Sequence, residues 1–252
     1  MPRSPRLKSQ SGIYHIMLRG INRQIIFEDN GDRYRFLSTI RDQVEENSYI
    51  IHGYCLMGNH VHLLMEELDD EISLAVAKIG ASYVYWYNKK YQRVGHLFQG
   101  RFKSEVVEND NYFKIVLRYI HNNPIKAGLC KNLQEYQWSS YREYIEKPTI
   151  IDADFCLELF SPDRQKSIKL FKDFMTQENE DDCLDFEDYL RLSDDEVRSI
   201  IKDMGINNIS QLPKLEIKLR NQLLKRIKKT KGTSIRQISR ITGISKSLIG
   251  RL

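Results

Sequence analysis

The sequence predicts an α+β protein. An antiparallel sheet is laid down in the order β-α-β-β-α-β, and an all-α region follows that ends in a helix-turn-helix. Three observations predict it. Short apolar runs of strand length alternate with amphipathic stretches of helical period through residues 14–122. The later segments carry helical patterns instead. The net charge of +5 over 252 residues is also unevenly spread: 20 bases and 17 acids in residues 1–150, 6 bases and 15 acids in 151–200, 13 bases and 2 acids in 201–252. These contrasts predict a sheet domain over residues 1–150, an acidic helical connector over 151–190 and a basic helical domain over 191–252.

Each element has its own signal. "YHIMLRG" (14–20) is an opening strand, and Asn22, Asp29, Asn30 and Gly31 supply turn chemistry after it. Residues 32–47 predict a helix with Tyr34, Leu37, Ile40 and Val44 on one face. "YIIHGYCLM" (49–57) and "HVHLLMEE" (60–67) are strands joined by Gly58-Asn59, residue types that accept positive φ and favour a two-residue hairpin. Residues 72–93 form a long helix carrying Leu74, Ile79, Tyr83 and Tyr87. "HLFQGRFKSEVVE" (96–108) is a strand bent at Gly100. Asn109, Asp110 or Asn111 caps a helix over 112–122, and Pro124 discourages its continuation at Asn123. This order is that of the ferredoxin-like split βαβ fold, with helices on one face of the sheet.

"WSSYREYIEKPTIID" (138–152) leads out of the sheet domain, residues 153–175 read as helix, and "QENEDDCLDFEDY" (177–189) is acidic. Residues 192–252 read as several short helices. In "TSIRQISRITGISKSLIGRL" (233–252), Ile235, Ile238 and Ile241 mark one apolar face, Gly243 the turn, and Ile244, Leu248 and Ile249 the next helix. A DNA-reading helix there presents Ser245, Lys246, Ser247 and Arg251. The basic tail points to a polyanion partner, against the plainer reading of a solvated helical bundle.

Composition excludes other classes. The chain is 41% hydrophobic and 29% charged, ordinary values for a globular protein. No apolar run approaches the roughly 18 to 20 residues that cross a membrane. "MPRSPRLKSQSG" is basic without an apolar stretch behind it, unlike a secretory signal. The four cysteines form no CxxC, which argues against a zinc site or a disulfide framework and for reduced thiols in the cytoplasm.

The chemistry centres on "MGNHVHLL" (57–64). His60 and His62 are two apart on a strand, so both project from one face and can share a cation, while Val61 faces the other way. From spacing alone a metal pair and two satisfied core histidines stay equally open. The helix bearing "YFKIVLRYIHNNP" places Tyr119 and Asn123 four apart on one face. Asn123 offers a carbonyl oxygen, a hard ligand suited to magnesium or manganese beside imidazole. Tyr119 offers a phenol capable of covalent catalysis.

These residues carry a resemblance. "MGNHVHLL" resembles the His-hydrophobic-His motif of the HUH single-tyrosine transposases. "RYIHNNPIKAGL" (118–129), "YHIMLRGINRQIIFEDNGDRYRFL" (14–37) and "GHLFQGRFKS" (95–104) resemble the branch associated with repetitive extragenic palindromes (REP). The resemblance covers roughly residues 8–145. It implies a ferredoxin-like catalytic domain that cleaves and rejoins single-stranded DNA at hairpin-containing ends. It implies that His60, His62 and Asn123 hold a divalent metal, Mg2+ or Mn2+, and that Tyr119 forms a 5′-phosphotyrosine link. Arg19, Arg23, Arg101 and Lys103 sit on or beside predicted strands and suit backbone phosphates. Among Tyr83, Tyr85, Trp86 and Tyr87, some stack on bases or all are core. The basic tail extends past the minimal family and suggests duplex or hairpin recognition. A monomer and a homodimer remain open, as do a rolling-circle HUH endonuclease, a domesticated DNA-binding regulator and a phosphohydrolase that uses water.

Overall fold

The computed structural model describes residues 6–45, 49–68, 71–185, 192–206, 208–230 and 232–252. The chain divides into two compact units, Met1–Asp185 and Phe186–Leu252.

Unit 1 is mixed α/β, around a four-stranded antiparallel sheet. Strand β1 (Ile13–Arg19) is followed by helix α1 (Asn30–Glu45), the hairpin β2 (Tyr49–Leu56) and β3 (His60–Glu67), helix α2 (Ile72–Lys90), strand β4 (Lys103–Val106) and helix α3 (Asp110–Lys126). The sheet order is β2-β3-β1-β4, and every neighbouring pair is antiparallel. Both parities of the central strands are buried. Ile16, Val61, Leu63 and Met65 fill one face, and His15, Met17, His62 and Leu64 fill the other. Helix α3 lies on the histidine face. There Gly53 of β2 leaves room for Leu117, whose Cδ1 lies 2.5 Å from where a Cβ would stand.

Four local expectations change. The hairpin turn uses no positive φ at Gly58 or Asn59. Tertiary bonds set it instead: Gly58 O accepts from Ile26 N (2.9 Å) and Asn59 O from Gly20 N (2.8 Å). The fourth strand is four residues rather than thirteen. Phe98 makes a lone bridge to Gly20, after which Gly100 turns left-handed (φ +66) and breaks the ladder before β4. Helix α3 starts on an Asn109 cap and runs straight through Pro124. It ends one turn later, where Gly128 (φ +70) closes a Schellman motif with Gly128 N→Ile125 O and Leu129 N→Pro124 O, both 2.9 Å. Tyr34 and Leu74 are exposed; the buried faces run instead through Phe36, Leu37 and Ile40 on α1 and through Ala75, Val76, Ile79, Tyr83 and Tyr87 on α2.

Unit 1 does not stop at residue 150. Residues 138–140 return to the free edge of β2, with Leu56 N→Trp138 O (2.9 Å) and Ser140 N→Tyr54 O (3.0 Å), which protects that edge. Three short helices follow, α4 (Tyr141–Ile145), α5 (Ala153–Glu158) and α6 (Arg164–Met175). The last two fall where one helix is expected; the chain breaks at Ser161-Pro162, and Asp163 caps α6. Cys156, Leu157, Phe171 and Met175 join the same core as the sheet. The acidic expectation for 177–189 falls partly on residues 186–189, outside the described ones.

Unit 2 holds α7 (Asp194–Asp203), α8 (Ile217–Lys229), α9 (Ile235–Thr242) and α10 (Lys246–Arg251). Ser193 and Glu196 form a capping box at the start of α7. Val197, Ile201, Leu224, Ile227, Ile238, Ile241, Ile244 and Ile249 form its core, and Gly243 (φ +72) turns the chain between α9 and α10. No described helix is long and apolar enough to cross a membrane.

Candidate active site

The sheet register builds the site. His62 is paired with Met17 and His60 with Arg19 across β3 and β1, while Met17 faces Lys103 and His15 faces Glu105 across β1 and β4. Opposed residues share a face. His15, Arg19, His60, His62, Lys103 and Glu105 therefore line the face that α3 covers.

The His60 and His62 rings lie 5.1 Å apart between centroids, at 81°. His60 is half-buried and its Nδ1 lies 2.7 Å from Asn59 Oδ1. His62 is fully buried. Its Nδ1 lies 3.0 Å from His15 Nε2, while its Nε2 has no hydrogen-bond partner. Burial first, then His15 and His60, hold His62 well below the ordinary imidazole pKa.

Helix α3 brings Tyr119 to His62 and His15 within one chain. Its ring centroid lies 5.8 Å from that of His62 and 6.0 Å from that of His15. Asn123 is buried one turn on, and its Nδ2 donates to Tyr119 O (3.0 Å). The Tyr119 hydroxyl donates to Asp185 Oδ2 (3.1 Å). Burial first, then the Asp185 carboxylate, push the phenol above its ordinary pKa. The segment carrying Asp185 is tied down along α3 and β4. Arg118 donates to Asp181 through Nε (2.7 Å) and Nη2 (2.9 Å), Leu184 N donates to Glu105 Oε2 (3.0 Å), and Lys103 Nζ donates to Asp185 O (3.1 Å).

Other expected residues are scattered. Arg23 and Arg101 are exposed, and Arg19 and Lys103 half-buried. Tyr83 and Tyr87 are core, Trp86 is half-buried under Lys90, and Tyr85 is 73% exposed. In unit 2, Ser245, Lys246, Ser247 and Arg251 are exposed, with Ser245 capping α10 and Arg251 Nη2 donating to Ser247 Oγ (2.9 Å). Sequence reasoning gave His15, Glu105, Asp181 and Asp185 no role. The parity of His15 on the strand beside β3 is the one local signal for them; the rest depends on long-range pairing.

The divalent ion that the donor chemistry implies can be tested against these atoms. Among the described residues no three His, Cys, Asp or Glu side chains group to hold a metal. Two imidazoles, with the Asn123 amide one turn from Tyr119 on α3, are a different set. In it, the buried and unpaired Nε2 of His62 is the kind of atom that a cation satisfies. The residues fit.

Residues 8–123, just under half of the chain, match the family described as Transposase IS200 like. The chain is also similar to REP-associated tyrosine transposases. A Haemophilus influenzae protein named as one of these is 22% identical over 139 residues, 48% of this chain and 79% of the relative. A solved REP-associated tyrosine transposase bound to a REP hairpin shares the fold at a TM-score of 0.50 and 18% identity, over 61% of this chain and 90% of that one.

Proposed function

We propose that this protein is a transposase that cleaves and rejoins single-stranded DNA at hairpin-bearing ends, with Tyr119 as nucleophile and His60, His62 and Asn123 as ligands of a divalent ion. The observation that carries the reading is the approach of the Tyr119 ring to His62 in a single chain, with Asn123 one turn away. The strand order and antiparallel pairing support a ferredoxin-like frame, and the Gly243 turn between two capped helices supports a helix-turn-helix. The similarly folded REP-associated tyrosine transposase bound to a REP hairpin favours hairpin ends over other single strands.

In this mechanism the Tyr119 oxygen attacks the phosphorus and loses its proton, and the bond to the 3′ oxygen breaks. That oxygen takes up a proton and leaves as a 3′-OH, while the 5′-phosphate stays on tyrosine. Attack by another 3′-OH reverses the step and releases the phenol, so rejoining needs no nucleotide. When bound, Mg2+ or Mn2+ supplies Lewis-acid withdrawal of charge from the phosphoryl oxygens. Arg19 and Lys103, on the same face, suit the strand's phosphates. Asp185 must release the Tyr119 hydroxyl before attack, because a carboxylate and a phosphodiester cannot both occupy its front.

The test is a labelled hairpin oligonucleotide incubated with the protein and Mn2+, then run on a denaturing protein gel. A covalent adduct that disappears in Tyr119→Phe is the expected result. Cleavage that survives Tyr119→Phe sinks the proposal in favour of hydrolysis by water, and tight binding without cleavage favours a regulator.

A further inference from the structure

The His15–His62 contact joins two nitrogens, Nε2 and Nδ1, 3.0 Å apart. A neutral imidazole carries one N–H, so one ring donates and the other accepts. The two rings lie nearly parallel at 29°, and both residues are fully buried. On its far side His15 Nδ1 faces Glu105 Oε2 at 3.8 Å, beyond hydrogen-bond length but close enough for strong electrostatic preference. Glu105 is the cross-strand partner of His15 on β4, and His62 is its diagonal neighbour on β3. The central strand β1 thus links one edge of the site to the other.

Of the two neutral proton arrangements, one suits the electrostatics of all three groups better. If His15 Nε2 carried the proton, its Nδ1 lone pair would face the Glu105 carboxylate, and His62 would be left with a buried N–H on Nε2 that has no acceptor. If His15 instead carries its proton on Nδ1, that proton faces the carboxylate. His15 Nε2 then accepts from His62 Nδ1–H, and His62 Nε2 keeps a bare electron pair. This second arrangement leaves His62 Nε2 as a bare acceptor rather than a buried N–H, and turns the His15 Nδ1 proton, which lacks a hydrogen bond, toward the carboxylate instead of a lone pair. Glu105 is suited to the role because its carboxyl is held below its ordinary pKa, first by His15.

We infer that Glu105 and His15 are positioning residues: together they fix the tautomer and ring angle of His62, so that its Nε2 electron pair is offered to a divalent cation. The inference rests on the proposed metal role of His62. Neither residue touches the cation; they act through the imidazole, as outer partners of metal-bound histidines do elsewhere.

Two measurements on the full-length protein test this. Long-range 1H–15N NMR on the metal-free protein reads the tautomer directly. Wild-type His62 is expected as the Nδ1–H form, and Glu105→Ala is expected to shift it toward Nε2–H. Calorimetric Mn2+ titration is expected to show affinity about ten- to a hundred-fold weaker in Glu105→Ala and His15→Ala, with partial recovery in His15→Gln, whose amide oxygen can accept from His62. His15 is wholly buried, so circular dichroism accompanies its variants; Glu105 is one-third exposed and keeps the test alive if they unfold. Wild-type His62 in the Nε2–H form, or unchanged Mn2+ affinity in folded Glu105→Ala, overturns the inference alone. Wild type that binds no Mn2+, or binding that survives His60→Ala with His62→Ala, overturns the metal reading and the inference with it.

Discussion

At the scale of single residues, burial holds three histidines of unit 1, His15, His62 and His121, below the ordinary imidazole pKa. His121, bonded to Ser140 Oγ at 2.9 Å, is pushed down to about 3. In the unfolded chain it titrates near 6.5. The unfolded state therefore binds the extra proton first as pH falls. The stability that His121 contributes is complete above about pH 6.5 and is lost toward pH 3, by up to about 1.4 kcal/mol per pH unit. Urea midpoints measured from pH 7.5 down to 5 should fall, and His121→Gln should flatten the slope. The shared faces of His60 with His62 and of Tyr119 with Asn123 were legible because their spacing is local: two along a strand, four along a helix. The placement of His15 and Glu105 beside them was not, because it depends on which strands become neighbours.

Elements show where local rules lose to tertiary contacts. Gly58 read as half of a two-residue hairpin signal that accepts positive φ, yet its φ is not positive and a Cβ there meets nothing within 4 Å. Gly58→Ala should change stability by no more than about 0.5 kcal/mol. Gly53 carried no signal in the sequence, yet it sets the spacing between β2 and α3. Gly53→Ala should cost about 1–3 kcal/mol through overpacking against Leu117, and by moving α3 should also slow adduct formation; thermal melts and the gel assay check the two effects. Pro124 was read as the end of α3, but a Schellman closure at Gly128 decides it, so Asn123 stays within helical reach of Tyr119. The acidic segment makes a prediction of its own. Asp185→Asn should speed the first appearance of the DNA adduct several-fold, by weakening the hold on Tyr119 and removing a negative charge from the path of the phosphate. A fall in rate would instead make Asp185 the acceptor of the phenol proton.

At the scale of the whole molecule, the charge asymmetry survives the division into units. Unit 1 carries 24 bases against 27 acids and unit 2 carries 15 bases against 7 acids. If unit 2 grips duplex or hairpin stems, Lys246→Ala and Arg251→Ala should each weaken binding and reduce its salt dependence by about 0.9 per lost phosphate contact, while leaving the adduct on a saturating oligonucleotide intact. Fluorescence anisotropy across salt concentrations reads this. The sequence reading set an acidic connector over 151–190 between the sheet domain and the basic domain, whereas Cys156, Phe171 and Met175 lie in the core of the sheet, a long-range packing that local charge does not reveal. Asp185, whose carboxylate accepts from the Tyr119 hydroxyl, is the last residue of unit 1. The clasp therefore belongs to the body that carries the sheet: Arg118, Glu105 and Lys103 pin its segment like a latch fixed to its own door.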